Sequence, residues 1–124
     1  MEIIEKNRNR LEELSQFDSL EEFHTNIYKW LVEHKYIFTK SELVGFRSLV
    51  LLADVTPGVC HERIEDILNS IQEEYNGSGR SGLSRSSFRR MLKKAKQLGI
   101  ITVLETARTQ NGSQDQNIYV FNRK

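Results

Sequence analysis

The segment from Arg80 to Lys96 carries seven lysines and arginines and no acidic residue. Guanidinium and ammonium groups bind phosphate oxygens, and an arginine can also donate two parallel hydrogen bonds to the edge of a guanine. Apolar residues recur through the segment at helical spacing, at Phe88, Met91 and Ala95, so one face can pack while the other stays in solvent. The chemistry that these residues support is contact with a polyanion.

A helix over residues 85–98 is predicted from this spacing, with Gly99 as its C-cap. Ser84 is placed to cap its N-terminus, where the helix dipole favours anions and neighbouring serines can donate to phosphates. The alternative is an ordinary solvated face, but such faces normally mix charges of both signs. We therefore expect nucleic-acid contact through the candidate residues Arg80, Ser84, Arg85, Ser86, Ser87, Arg89, Arg90, Lys93 and Lys94.

Charge is divided unevenly along the chain, although the formal net charge is only +1. Residues 1–75 carry 8 basic and 15 acidic side chains, whereas residues 76–124 carry 10 and 2. This asymmetry indicates a polyanionic partner for the C-terminal part of the chain.

Residues 77–82, Gly-Ser-Gly-Arg-Ser-Gly, match the G-x-G-x-x-G pattern of dinucleotide-binding turns. That turn needs a strand before it and a helix directly after it, whereas a helical period precedes these glycines. Two interpretations stay open: a plain connector, or a loop whose Arg80 lies near a phosphate backbone. Because the sequence has neither a P-loop motif nor the cysteine and histidine spacing of metal sites, we expect no cofactor and no metal.

Other function classes find little support in the sequence. No arrangement of nucleophile and base is visible, so we predict a protein that is not an enzyme. No run approaches the roughly 18 apolar residues of a membrane span, and the charged N-terminus lacks the apolar run of a signal peptide. A single cysteine, Cys60, fits a reducing compartment. We expect a cytoplasmic protein without membrane contact.

The elements that must position the basic segment are predicted to be mainly helical, with a small β-hairpin. Capping boxes at Ser19–Glu22 and Thr39–Glu42 open two of the helices, and the second is expected to be the most buried because Leu51 and Leu52 add apolar bulk. The predicted order is helix 2–16, a helix through His34, helix 40–53, strand 59–60, helix 62–75, helix 85–98, and a hairpin of strands 100–106 and 117–121.

The run from Leu83 to Asn122 resembles the recognition helix and wing of winged helix-turn-helix proteins. The resemblance covers about residues 39–122 and implies a winged helix-turn-helix domain over 38–124. An N-terminal helical pair over 1–37 would serve a homodimer or a protein partner. The positions that carry the resemblance, before the hairpin, are Ser84, Arg85, Ser87, Phe88, Arg89, Arg90, Leu98, Gly99, Ile100 and Ile101.

The family's function, carried over by position, is sequence-specific binding of double-stranded DNA by a transcriptional regulator. Arg108, Gln110 and Asn111, at the hairpin tip, would approach the DNA backbone or the minor groove. Two alternatives keep the fold: a module of a plasmid or phage replication initiator or partition protein, and a protein-interaction domain that does not bind DNA. The residues that would face the major groove are Arg85, Ser86, Arg89, Arg90 and Lys93.

Overall fold

The computed structural model describes residues 11–75, 84–104 and 117–124. Residues 11–14 are helical, within the predicted helix 2–16. The fold is mainly helical with a small antiparallel sheet, which confirms the predicted class at this level. The elements are α1 (Leu20–His34), a 3₁₀ turn (Lys35–Ile37), α2 (Lys40–Leu52), β1 (Val59–Glu62), α3 (Ile64–Tyr75), α4 (Arg85–Leu98), β2 (Ile101–Leu104) and β3 (Asn117–Phe121).

The caps of α1 and α2 differ in completeness. Thr39 and Glu42 form the full predicted box, because the Thr39 N–H donates to Glu42 Oε1 at 2.9 Å and the Glu42 N–H donates to Thr39 Oγ1 at 3.1 Å. At α1 the Glu22 N–H donates to Ser19 Oγ at 3.1 Å, but the Glu22 carboxylate pairs with Arg123. Arg123, which is distant in the sequence, therefore binds the Glu22 carboxylate that would otherwise accept from the Ser19 N–H and complete the capping box.

Helix α4 begins and ends where the sequence predicts. The Ser87 N–H donates to Ser84 Oγ at 3.1 Å, which caps the first turn. Gly99 has a left-handed backbone with φ of 82°, and its N–H donates into the last turn. Glycine adopts this conformation without the steric cost that a Cβ atom brings, so the C-cap prediction is confirmed.

The sheet has the order β1–β3–β2, with every neighbouring pair antiparallel. Strand β1 is four residues long, whereas the sequence predicted two, because His61 and Glu62 pair with Ile118 and Asn117 of β3. Helix α3 consequently begins at Ile64 rather than at residue 62. The length of β1 depends on a partner strand more than fifty residues later, which local patterning does not reveal.

One hydrophobic core joins the four helices and the sheet. The Phe121 ring lies 5.2 Å from the Phe23 ring and 5.8 Å from the Phe46 ring, measured between centroids. Phe23 and Trp30 are buried, as expected. Leu51 is 51% exposed, so it does not add the apolar bulk that was expected to bury α2. It lies two residues beyond the buried Leu49, and two residues turn a helix by about 200°.

The residues after β3 fasten α1 to the rest of the fold. The backbone carbonyl of Asn122 accepts hydrogen bonds from Asn26 Nδ2 at 2.9 Å and from Trp30 Nε1 at 3.0 Å. The Lys124 N–H donates to Asn26 Oδ1 at 2.9 Å, and Arg123 Nε donates to the Gln16 carbonyl at 2.7 Å. Helix α1 thus shares both core and hydrogen bonds with the C-terminal residues. The division between 1–37 and 38–124 stays a prediction.

Candidate nucleic-acid interface

Helix α4 has one buried and one exposed side. Phe88, Met91 and Ala95 are fully buried, and the helix packs chiefly against α2 and β2. The apolar side predicted from the spacing is therefore the packed side. We call the exposed basic side chains the cationic face, and they are Arg85, Arg89, Arg90, Lys93 and Lys96, interspersed with the exposed polar residues Ser86 and Gln97.

Lys96 belongs to this surface although it was not among the candidate contact residues. It follows Lys93 by three residues and Arg89 by seven, so the three side chains form one row along the helix. Its helical position would have identified it, since Lys96 lies nearly opposite the buried Met91. The row from Arg89 to Lys96 is about 10 Å long at 1.5 Å per residue.

Ser87 does not lie on the exposed side. It is 8% exposed, and its hydroxyl accepts hydrogen bonds from Ser84 Oγ and from Arg90 Nη2, each at 3.0 Å. Its position on the helix is at the edge of the apolar side, where it meets the cap. As folded, Ser87 holds Ser84 and Arg90 in place, whereas Ser86 is exposed beside the cationic face.

Lys94 is turned toward α2 by Glu42. Lys94 Nζ lies 2.6 Å from Glu42 Oε1 and donates to the Ile37 carbonyl at 2.9 Å. Arg90 Nε lies 3.7 Å from Glu42 Oε2. The Glu42 side chain is only 1% exposed, whereas that of Lys94 is 32% and that of Arg90 is 63% exposed. Glu42 therefore both caps α2 and anchors α4.

Opposing effects set the ionisation of Glu42. Burial favours the neutral acid and by itself raises its pKa. Hydrogen bonds from Lys94 and from the Thr39 N–H, together with the charges of Lys94 and Arg90, favour the carboxylate. The net result is a pKa below the ordinary value, so Glu42 is ionised at neutral pH.

The acidic half of the chain neutralises part of the basic helix. Besides the Glu42 contacts, Arg85 Nη2 lies 3.1 Å from Glu65 Oε1, with both side chains well exposed to solvent. Such an exposed pair is weak and screened by salt, so Arg85 can exchange its partner for a phosphate. Among the described residues, Arg89, Lys93 and Lys96 have no ion pair.

The remaining predicted contact residues fall elsewhere. Arg80, Arg108, Gln110 and Asn111 lie outside the described residues. Within the described ranges no group of three or more histidine, cysteine or acidic side chains could hold a metal ion, and no helix there is long and apolar enough to cross a membrane. Burial raises the pKa of the Cys60 thiol to about 12, which keeps the sulfur neutral.

No protein-family model matches this chain, and no curated protein or solved structure matches it either. What α4 can bind is therefore inferred from its own residues alone. Their arrangement presents a row of solvated cations, spaced along a rigid helix, that can bind several anionic groups at once.

Proposed function

We propose that this protein binds double-stranded DNA through the cationic face of α4, in a winged helix-turn-helix arrangement. The observation that carries the proposal is that the two sides of this helix differ. Its apolar side is buried, and its exposed side carries five cations and no acid. A helix of about 10–12 Å diameter fits the major groove of B-DNA, which is about 12 Å wide.

The order of elements supports the arrangement. The chain runs α2, β1, α3, α4, β2, β3, and the central strand β3 pairs with both β1 and β2. Winged helix-turn-helix proteins have this order, with the position of α4 taken by their recognition helix. Strands β2 and β3 then correspond to the strands of the wing.

The side chains divide into two roles. Arg89, Lys93 and Lys96 have no ion pair among the described residues, so they are suited to phosphate contacts that supply affinity for any sequence. Arg90 is held through Ser87 Oγ at 3.0 Å. A guanidinium oriented in this way is suited to a guanine edge, where arginine donates two hydrogen bonds.

A salt titration of duplex binding tests the proposal. Fluorescence anisotropy with mixed-sequence duplex DNA, from about 50 to 200 mM salt, should give a log–log slope of about −0.9 per phosphate contact. Lys93→Ala should reduce the magnitude of the slope by about 1. Lys29→Ala, an exposed helical lysine on α1, is the matched control and should leave the slope unchanged. Absence of binding at 50 mM salt would refute the proposal and favour the protein-interaction alternative.

A role as a transcriptional regulator adds the requirement of sequence preference. Selection of bound sequences from a random duplex pool should enrich a common site, and the enriched site should lose its advantage in the Arg90→Ala variant. Recovery of random sequences would leave DNA binding intact but contradict a sequence-specific regulator.

A further inference from the structure

The exposed large apolar side chains of the described residues are concentrated in one region. Of eight, only Leu104 lies outside α1, the 3₁₀ turn that follows it, the last turn of α2 and the three residues after α2. Large apolar side chains grouped on an exposed helix face mark interaction sites on folded proteins. The other seven side chains are Leu20, Tyr28, Val32, Tyr36, Ile37, Leu51 and Val55.

Helix α1 carries most of this surface as a single row. Every fourth residue from Leu20 onward (Leu20, His24, Tyr28, Val32 and then Tyr36 in the 3₁₀ turn) contributes to what we call the α1 ridge. Tyr28 is 70%, Val32 59% and Tyr36 79% exposed. Tyr28 and Val32 lie opposite the buried side of α1, so the protein's own core does not cover them.

Exposed apolar side chains also lie near the end of α2. His24 Nε2 lies 3.0 Å from Asp54 Oδ1, which brings the end of α2 beside the N-terminal half of the ridge. Val55, the next residue, is 95% exposed, and Leu51 is 51% exposed. One polar contact thus links the ridge to the segment that carries Leu51 and Val55.

We propose that the α1 ridge binds the α1 ridge of a second copy of this chain, with the two helices antiparallel. A two-fold axis requires that residue i meet j and that j meet i. About an axis at Tyr28, the two Tyr28 side chains meet, and His24 and Val32 of each copy flank that contact, whereas Leu20 and Tyr36 lie about 80° around the helix from Tyr28, at the margins. The ridge is thus complementary to itself, and this inference does not depend on DNA binding.

Charge favours the same pairing. Glu21 precedes Tyr28 by seven residues and Lys35 follows it by seven, so the axis brings Glu21 of each copy to Lys35 of the other. Both side chains are exposed, and neither has an ion pair among the described residues. Parallel helices would instead place like charges together, which is unfavourable.

The size of the surface indicates a weak complex. A tyrosine buries roughly 150–250 Å² when fully covered, so the two Tyr28 side chains and their neighbours give an interface of at most about 1,000 Å². That is near the lower limit for specific association, where dissociation constants are in the micromolar range or above. Self-association should therefore depend on concentration.

Sedimentation equilibrium of the full chain without DNA, from about 5 to 500 µM, tests the proposal. A reversible monomer–dimer equilibrium is expected. Tyr28→Glu should weaken it about tenfold or more, as expected for a central interface aromatic. Leu104→Glu, which changes the exposed apolar residue away from α1, is the matched control and should not change it. A chain that stays monomeric throughout this range, or a dimer that Tyr28→Glu leaves intact, would overturn the proposal.

A charge exchange tests the antiparallel pairing itself. Glu21→Lys and Lys35→Glu should each weaken self-association, because each places two pairs of like charges across the axis. The double variant, and an equimolar mixture of the two single variants, should recover the dimer. Recovery cannot arise from a folding defect, so it separates pairing from stability. Failure of both combinations to recover would overturn the antiparallel arrangement.

Discussion

Helices α1 and α4 both bury one side in the same core, yet their exposed sides differ in chemistry. The exposed side of α4 carries five cations and no large apolar side chain, whereas that of α1 carries two of the most exposed apolar side chains together with charges of both signs. Burial of its apolar side in the core stabilises each helix. The solvent-facing residues are not needed for packing in the core. Their chemistry therefore indicates what each helix can bind.

The two helices are also held in different ways. Helix α4 is anchored to α2 through the buried Glu42, which Lys94 contacts at 2.6 Å. Helix α1 is fastened through the Asn122 carbonyl, to which Asn26 and Trp30 both donate, and its ion pairs, Glu22 with Arg123 and Glu33 with Lys124, use partly exposed carboxylates. We therefore expect the position of α4 to be more sensitive to charge and pH than that of α1, because the carboxylate that anchors α4 is buried and exposed ion pairs contribute little.

The largest expected effect comes from variants that damage one surface and spare the other. Reversing two charges, Arg89→Glu with Lys93→Glu, should lower affinity for duplex DNA at least about a hundredfold and leave self-association unchanged. Tyr28→Glu should weaken self-association and leave unchanged the affinity for a short duplex that holds one binding site. Anisotropy and sedimentation on the same preparations measure both properties. A variant that alters both would show that the two surfaces are not independent.

Removal of the α4 anchor should give the next largest effect. Glu42→Ala deletes the capping box and leaves Lys94 and Arg90 without their buried partner, which should lower the free energy of unfolding by about 2 kcal/mol. Urea denaturation followed by circular dichroism measures the loss. Glu33→Ala also removes a lysine pair, to Lys124 at 2.8 Å, but an exposed one, so its effect should be small. Equal losses in the two variants would contradict an anchoring role for Glu42.

The elements that the sequence predicts best are those whose signals are local. Helix α4 has the predicted bounds because Ser84 and Gly99, which fix its ends, adjoin it in the chain. Strand β1 was predicted too short because its second half forms only through pairing with β3. Local caps act within one turn, whereas the length of a strand is set by residues far away in the sequence.

The same distinction between local and long-range signals applies to the candidate site. Exposure of Arg89 and Lys93 could be predicted from helical period alone. The pairing of Lys94 with Glu42 could not be predicted in this way. It requires α2 to pack against α4, and the two residues are 52 positions apart in the sequence. Ser87 likewise has the right residue type for a phosphate contact, but its hydroxyl serves the helix cap and Arg90.

A smaller effect should separate Arg90 from Lys94. Arg90→Ala should reduce the preference for the best site over random duplex about tenfold, because it removes an oriented guanidinium. Lys94→Ala should weaken both duplexes about equally and also lower the urea midpoint, since Lys94 Nζ contacts Glu42 and the Ile37 carbonyl. Competition binding on the two duplexes gives the ratio. Equal losses on random DNA in both variants would show that the roles are wrongly assigned.

The smallest expected effect is a dependence of stability on pH. The pKa of Glu42 lies below its ordinary value of 4.5, because Lys94 and Thr39 hydrogen bonds outweigh burial. A carboxyl with a lowered folded-state pKa stabilises the fold above the unfolded-state value and loses that contribution as the pH falls through the folded-state value. Stability of the parent chain should therefore decline below about pH 4.5, by at most about 1.4 kcal/mol per pH unit from this group.

Glu42→Gln should make this acid-limb decline shallower, because glutamine does not titrate, and Glu12→Gln, an exposed glutamate, is the matched control. Urea denaturation between about pH 3 and 6 measures the difference in slope. Parallel acid limbs for the parent and Glu42→Gln would place the anchor of α4 elsewhere, and the contrast between the two helices would then rest on their exposed residues alone.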